Sequence, residues 1–273
     1  MPRIELNGAD LYYELSGSGQ PAFVFVHGGA CSHRDWAHQV RSLAGAYTVL
    51  TLDLRGHGLS KGAFEDCRIE QWAADLNALI DALELAPVVL TGHSLGARIA
   101  VEAAWRRPDN IGALVLLDGS RMYGGFSATG ISGAVGGSPE DQPLSRIVDA
   151  TIGPHASAAT RARLMKTMSS APPALMKAAV DTIQAWDLGS ADTAYAALRP
   201  ELPMLMIQST YHDRFTPRRS LTRAAETTPY LNFVKAVRPG VKIKILTGAG
   251  HFSMLERSDV VTSMIRDFGV AAR

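Results

Sequence analysis

The chain has 273 residues, of which 47% are hydrophobic and 19% charged, and its formal net charge is +1. This composition suits one large buried core, and it argues against a disordered chain, a disulfide framework built on two cysteines, and the basic surface of a nucleic-acid binder. No apolar run reaches the roughly 20 residues of a membrane-spanning helix, and Met1-Pro2-Arg3-Ile4-Glu5 lacks the apolar stretch of a secretory leader, so a cytoplasmic setting is expected, with Cys31 and Cys67 as free thiols.

Taken in chain order, short apolar runs alternate with longer amphipathic ones, the pattern of parallel strands joined by helices. Residues 4–6 and 11–15, around Asn7-Gly8-Ala9-Asp10, predict an opening hairpin. Strands follow at 22–26, 47–52, 88–91, 113–117, 204–208 and 241–246, each β-branched or aliphatic on consecutive positions, as strands buried on both faces are. Helices are predicted at 34–43, 69–85, 95–106, 218–228 and 258–268; in the second, Trp72, Leu76, Leu79, Ile80 and Leu83 form one apolar stripe. The predicted class is therefore α/β, a mostly parallel sheet of about eight strands flanked by helices.

Between Gly119 and Pro200 the rhythm breaks. No strand is evident there; a Gly- and Ser-rich stretch over 123–139 leads into helical runs at 144–150, 158–168 and 174–186. A loop of that length carries structure of its own, so residues 121–200 are expected to form a helical cap inserted into a core made of 1–120 and 201–273.

Val88-Val89-Leu90-Thr91-Gly92-His93-Ser94-Leu95-Gly96-Ala97 runs from a strand into a helix through G-x-S-x-G. The pattern alone is weak; strand before and helix after make it specific, because a tight turn there lifts the serine hydroxyl above the sheet and the glycines leave room for it. Ser94 is the expected nucleophile, and the Leu95 amide, opening the helix, is one expected oxyanion donor. The second is assigned to Gly29 in His27-Gly28-Gly29-Ala30, after the strand at 22–26. A serine needs a base, and His251, in Gly248-Ala249-Gly250-His251-Phe252 beyond the last strand, has the right place and order. His27, His57 and His93 are expected to hold loops. Two aspartates end strands between Ser94 and His251: Asp213 is preferred as the orienting acid because its loop adjoins that of His251, and Asp118 is the alternative. Trp36, Met122, Tyr123, Phe126 and Trp186 are candidates to line an apolar substrate pocket.

Together, His27-Gly28-Gly29, Asp53-Leu54-Arg55-Gly56-His57-Gly58-Leu59-Ser60, Gly92-His93-Ser94-Leu95-Gly96, Asp213 and Gly250-His251-Phe252 resemble the α/β-hydrolase superfamily over nearly the whole chain outside the cap. The resemblance is to its small, cap-bearing bacterial branch of esterases, lactonases such as 3-oxoadipate enol-lactonase, and haloperoxidase-like enzymes. It implies a Ser94, Asp213, His251 triad, an oxyanion hole from Gly29 and Leu95, and a structural role for the Asp53–Ser60 loop. Ala30 stands where many relatives have proline, and Ala97 where a second glycine is frequent. The aspartate nucleophile of dehalogenases and epoxide hydrolases is excluded by Ser94. The expected activity is cleavage of a small to medium, largely apolar ester or lactone, with no metal or organic cofactor, no nucleic acid and no membrane partner. A carbon–carbon bond hydrolase of a vinylogous diketone and a ligand receptor keeping the triad are the alternatives.

Overall fold

A computed structural model describes residues 2–121, 144–213 and 216–272. Its main sheet is built from β1 (Arg3–Leu6), β2 (Ala9–Ser16), β3 (Ala22–Val26), β4 (Val49–Leu52), β5 (Val88–His93), β6 (Ile111–Leu117), β7 (Met204–Gln208) and β10 (Lys242–Ile245). A separate small pair joins β8 (Thr210–Tyr211) to β9 (Arg219–Ser220). The eight strands lie in the order β1-β2-β4-β3-β5-β6-β7-β10. β1 and β2 are antiparallel to their neighbours, and every pairing from β4 onward is parallel.

The opening hairpin closes through Asn7 and Gly8, both at positive φ, with Leu6 opposite Ala9, so the turn takes two residues. Consecutive apolar residues in the central strands serve two cores, because successive side chains of a strand point to opposite faces. Ala22, Val24 and Val26 of β3 enter one core while Phe23 and Phe25 enter the other, and β6 divides Leu114 and Leu116 from Ala113, Val115 and Leu117 in the same way.

The first core is covered by α2 (Ile69–Ala82) and α3 (Leu95–Arg106), the second by α1 (Ala37–Leu43) and α10 (Ser258–Ala271). The predicted stripe of α2 is fully buried at Trp72, Leu76, Leu79 and Ile80. Burying such a side chain contributes about 1.5–3 kcal/mol, so this face alone fixes the helix against the sheet.

Between β6 and β7 the described chain forms α4 (Leu144–Thr151), α5 (Ala158–Ser169), α6 (Pro173–Gly189) and α7 (Ala191–Ala196). A buried bidentate ion pair from Arg98 of α3 to Asp187 of α6, at 2.7 and 2.8 Å, fastens this insertion to the core. The indole of Trp186 donates to Glu102 at 2.9 Å beside it. The helix predicted over 218–228 is absent. Arg219 and Ser220 instead pair with Thr210 and Tyr211, and Thr222 bonds Glu226, while a helix begins one step later at α8 (Pro229–Val237), with Thr228 as its N-cap and Pro229 in its first turn. The short α9 (Ser253–Glu256) follows the His251 loop.

Candidate active site

The order β4-β3-β5 places the reversal of strand succession between β3 and β5, and ligands of open α/β sheets bind in the crevice at the carboxyl ends of strands at such a point. Gly28 and Gly29 leave β3 here, and Ser94 leaves β5. Ser94 has φ 55° and ψ −112°, a conformation rare for any residue with a side chain. Its neighbours permit the turn: a Cβ on Gly92 would lie 2.1 Å from the Gly96 carbonyl oxygen, and one on Gly96 would lie 2.5 Å from that of Val26. Although Ser94 stands at the N-cap of α3, its side chain makes no capping bond, which leaves the hydroxyl uncommitted to the helix. The residue is half-buried and opens on a cavity that His251 also lines.

Asp118 ends β6, also at positive φ (43°), with its amide held by the Ile207 carbonyl of β7 at 2.8 Å. Its carboxylate accepts 2.8 Å bonds from the amides of Ser209 and Thr210, 3.0 and 2.7 Å bonds from their hydroxyls, and a 2.6 Å bond from His251 Nδ1. Burial by itself would raise this carboxyl, but the His251 bond, the Arg218 charge and the Thr210 hydroxyl outweigh it and hold the group well below the usual carboxylate range. His251 itself is pushed below the ordinary histidine value by burial and by Arg218, against the pull of Asp118.

The preference for Asp213 is thereby corrected. It is Asp118 that meets His251. The Asp213 carboxylate accepts from the Tyr211 hydroxyl at 2.8 Å and from the amide and hydroxyl of Thr216 at 2.7 and 2.8 Å, closing its own loop as an aspartate commonly does. Arg218, read from sequence as the start of a helix, sits at the His251–Asp118 pair. Its Nη1 is 3.3 Å from Asp118 Oδ2, 3.2 Å from His251 Nδ1 and 2.7 Å from Thr210 Oγ1.

His27 Nδ1 donates to the Gly28 carbonyl at 2.7 Å, while its Nε2 accepts from the Leu54 amide at 3.1 Å. Because a trans peptide sets N–H opposite C=O, pinning the Gly28 carbonyl on the His27 side turns the Gly29 N–H away from it. A Cβ on Gly28 would crowd His93 Nδ1 at 3.1 Å and the Ser94 Cβ at 3.2 Å, whereas one on Gly29 would meet nothing nearer than Leu95 at 3.8 Å. His93 donates from Nε2 to the His251 carbonyl at 2.8 Å, so it steadies the loop that presents the imidazole. The His57 ring bonds the Arg55 carbonyl of its own loop through Nδ1, at 3.2 Å. Burial pushes it down to about 3. In that same loop Asp53 accepts from the amides of His33 and Leu59.

The cavity has two characters. Met168, Met176, Val180 and Ile183 of the insertion form an apolar wall, whereas Arg98, Ser120, His212 and Arg218 form a polar end. Two aromatic expectations are corrected. Trp36 is fully buried in the second core, 4.8 Å from the Phe25 ring, and Trp186 is buried against Glu102; both are large indoles consumed by packing and do not line the cavity. Met122, Tyr123 and Phe126 lie outside the described residues. Sequence reading missed the insertion's Met and Ile wall, whose spacing is that of any core-facing helix, and it missed Arg218. The signal for the latter was a basic residue in the loop that leaves β7 at the sheet's carboxyl edge.

A family model described as the alpha/beta hydrolase family matches residues 23–263. The chain belongs to that family. Its fold is similar to the enol-lactonase from Burkholderia xenovorans, at TM-score 0.78 and 23% identity over 98% of this chain and 99% of that one. It is equally similar to a thermophilic esterase from Thermogutta terrifontis, at TM-score 0.78 and 20% identity over 100% and 99%. Among curated relatives, the (E)-2-((N-methylformamido)methylene)succinate hydrolase of Acinetobacter baylyi is 31% identical over 113 residues, 41% of this chain and 43% of that protein. The first of the curated relatives are matched over only 29% and 42% of their own lengths. Among the described residues, no helix is long and apolar enough to cross a membrane.

Proposed function

We propose that the chain is a serine hydrolase that cleaves a carboxylic ester or lactone through an acyl-enzyme on Ser94, with His251 as base and Asp118 as the acid that orients it. The observation that carries this reading is the convergence of three strand ends. A strained, uncapped serine and an imidazole share one cavity, and the imidazole's Nδ1 is held at 2.6 Å by a buried carboxylate. With Nδ1–H given to Asp118, Nε2 is the nitrogen left to take the serine proton.

In the first step Ser94 Oγ attacks the carbonyl carbon while His251 Nε2 removes the hydroxyl proton, and the Leu95 and Gly29 amides receive the oxyanion. The proton then passes from Nε2 to the departing alkoxide. Water, deprotonated by the same nitrogen, releases the acid and restores Ser94. Asp118 stabilises the imidazolium in both halves without taking a proton. Substrate choice falls to the cap, whose Met168, Met176, Val180 and Ile183 suit a small to medium apolar chain. The similarity to an esterase and an enol-lactonase supports the same bond types.

Ser94→Ala, assayed on short p-nitrophenyl esters, is expected to lose kcat by about 10³-fold or more. Undiminished turnover in a folded variant would remove the assignment.

A further inference from the structure

We propose that Arg218 is the docking point for a carboxylate on the substrate, so that the preferred ester or lactone is an anionic one, a half-ester or carboxy-lactone whose free carboxylate lies a few bonds from the scissile carbonyl. This rests on the hydrolase reading and narrows its substrate class.

Arg218 is 15% exposed, lines the cavity, and cannot shed its proton to escape burial. Its one carboxylate contact, Asp118, lies at 3.3 Å and is already filled by two amides, two hydroxyls and His251. Arg98, the other guanidinium at this end, is matched by its own bidentate Asp187. One carboxylate therefore serves both Arg218 and the imidazole. When His251 becomes an imidazolium during the reaction, two cations will share it.

All the polar contacts of Arg218 among the described residues are made through Nη1, which leaves Nη2 and Nε with hydrogens to donate. A guanidinium presents its donors as a planar fork that fits a carboxylate bidentately. The contact to His251 cannot be satisfying as it stands. Nδ1 carries one hydrogen, given to Asp118, so Nη1 at 3.2 Å faces it donor to donor. A substrate carboxylate accepting from Nη2 and Nε supplies the missing anion and lessens the guanidinium's opposition to the imidazolium. Binding of the correct substrate would thereby prepare the base, since burial and Arg218 are what depress it.

The position fits the rest of the cavity. Ser120 and His212 line the same cavity, and its apolar lining of Met168, Met176 and Ile183 suits an aliphatic spacer. A purely hydrophobic ester would leave the Arg218 fork facing apolar atoms, at the cost of an unpaired buried donor set.

Monomethyl glutarate and methyl pentanoate differ mainly in a terminal carboxylate against a methyl, and their hydrolysis can be followed by pH-stat. For the unmodified protein the expected kcat/KM favours monomethyl glutarate by about tenfold or more, the worth of one charge-assisted bond. Arg218→Gln should erase that preference, chiefly by raising KM for the anionic ester, and Arg218→Lys should restore part of it. Equal or better use of methyl pentanoate by the unmodified protein would overturn the proposal, as would a preference unmoved in a folded Arg218→Gln. Should neither ester be hydrolysed, the hydrolase reading is what has failed, and calorimetry with the same two esters decides the carboxylate site separately. Heat of binding from monomethyl glutarate alone supports it; none from that ester, or equal heat from both, overturns it.

Discussion

At the scale of single residues, the site turns on how one histidine is poised. His251 is buried with a cation on one side and a carboxylate on the other, and burial and Arg218 together leave its basic form favoured. His93 and His212 also lie near it, and Arg98 adds its charge. Because the neutral imidazole is the reactive form, and a lowered value keeps it neutral to lower pH, the acidic limb of kcat/KM on a neutral p-nitrophenyl ester should fall below about pH 6.5. A limb centred above pH 7 would contradict this electrostatic picture. Asp118 remains a carboxylate throughout that range, so it contributes no limb of its own there. The choice between Asp118 and Asp213 was beyond local sequence, since both follow strands in turn-rich loops. What separates them is the pair of Ser209 and Thr210 amides aimed at Asp118 from the neighbouring strand end, a long-range fact. A trace was legible all the same: Asp213 precedes Thr216 by three residues, the spacing at which an aspartate satisfies its own loop.

At the scale of elements, the strands were easy to read and two of the connections were not. Runs such as Ala22-Phe23-Val24-Phe25-Val26 can satisfy two apolar faces only as buried strands, which is why β3 and β7 were placed to the residue. Residues 218–228 form no helix because Arg218 and Arg219 have tertiary partners, Asp118 and the Thr210–Tyr211 strand. The short α7, Ala191–Ala196, is too brief to show a period in the sequence. One buried tie between the insertion and the core runs from α6 to α3. Asp187→Asn would leave Arg98 buried with half its partner, and urea unfolding should show a loss of about 3–5 kcal/mol. Arg98→Met with Asp187→Leu should recover much of it. A loss under about 1 kcal/mol for the single variant would mean that the ion pair does not hold the insertion in place.

At the scale of the whole molecule, the site exists only because the parallel sheet brings distant stretches of chain to one edge. Ser94 leaves β5, Asp118 leaves β6, and His251 arrives from the loop after β10, 133 positions beyond the aspartate to which it is bonded. The ladder continues past the strands to fix these tips, with the Ser94 amide bonded to the Leu117 carbonyl and the Asp118 amide to that of Ile207. The fold and the places of Ser94 and His251 at the sheet's carboxyl edge could be read from motif and order, because each depends on local turn chemistry and on strand succession. The pairing of Asp118 with His251 and the charged end of the cavity depend on side chains meeting across loops, which no spacing rule encodes. The most direct measurement is kcat/KM on p-nitrophenyl acetate for Asp118→Asn and Asp213→Asn side by side, both checked for native folding. Asp118→Asn should lose about 10³–10⁴-fold, because an asparagine neither fixes the Nδ1–H tautomer nor stabilises the imidazolium, while Asp213→Asn should stay within about tenfold. The reverse ranking, or two variants equally active, would contradict the triad of Ser94, His251 and Asp118.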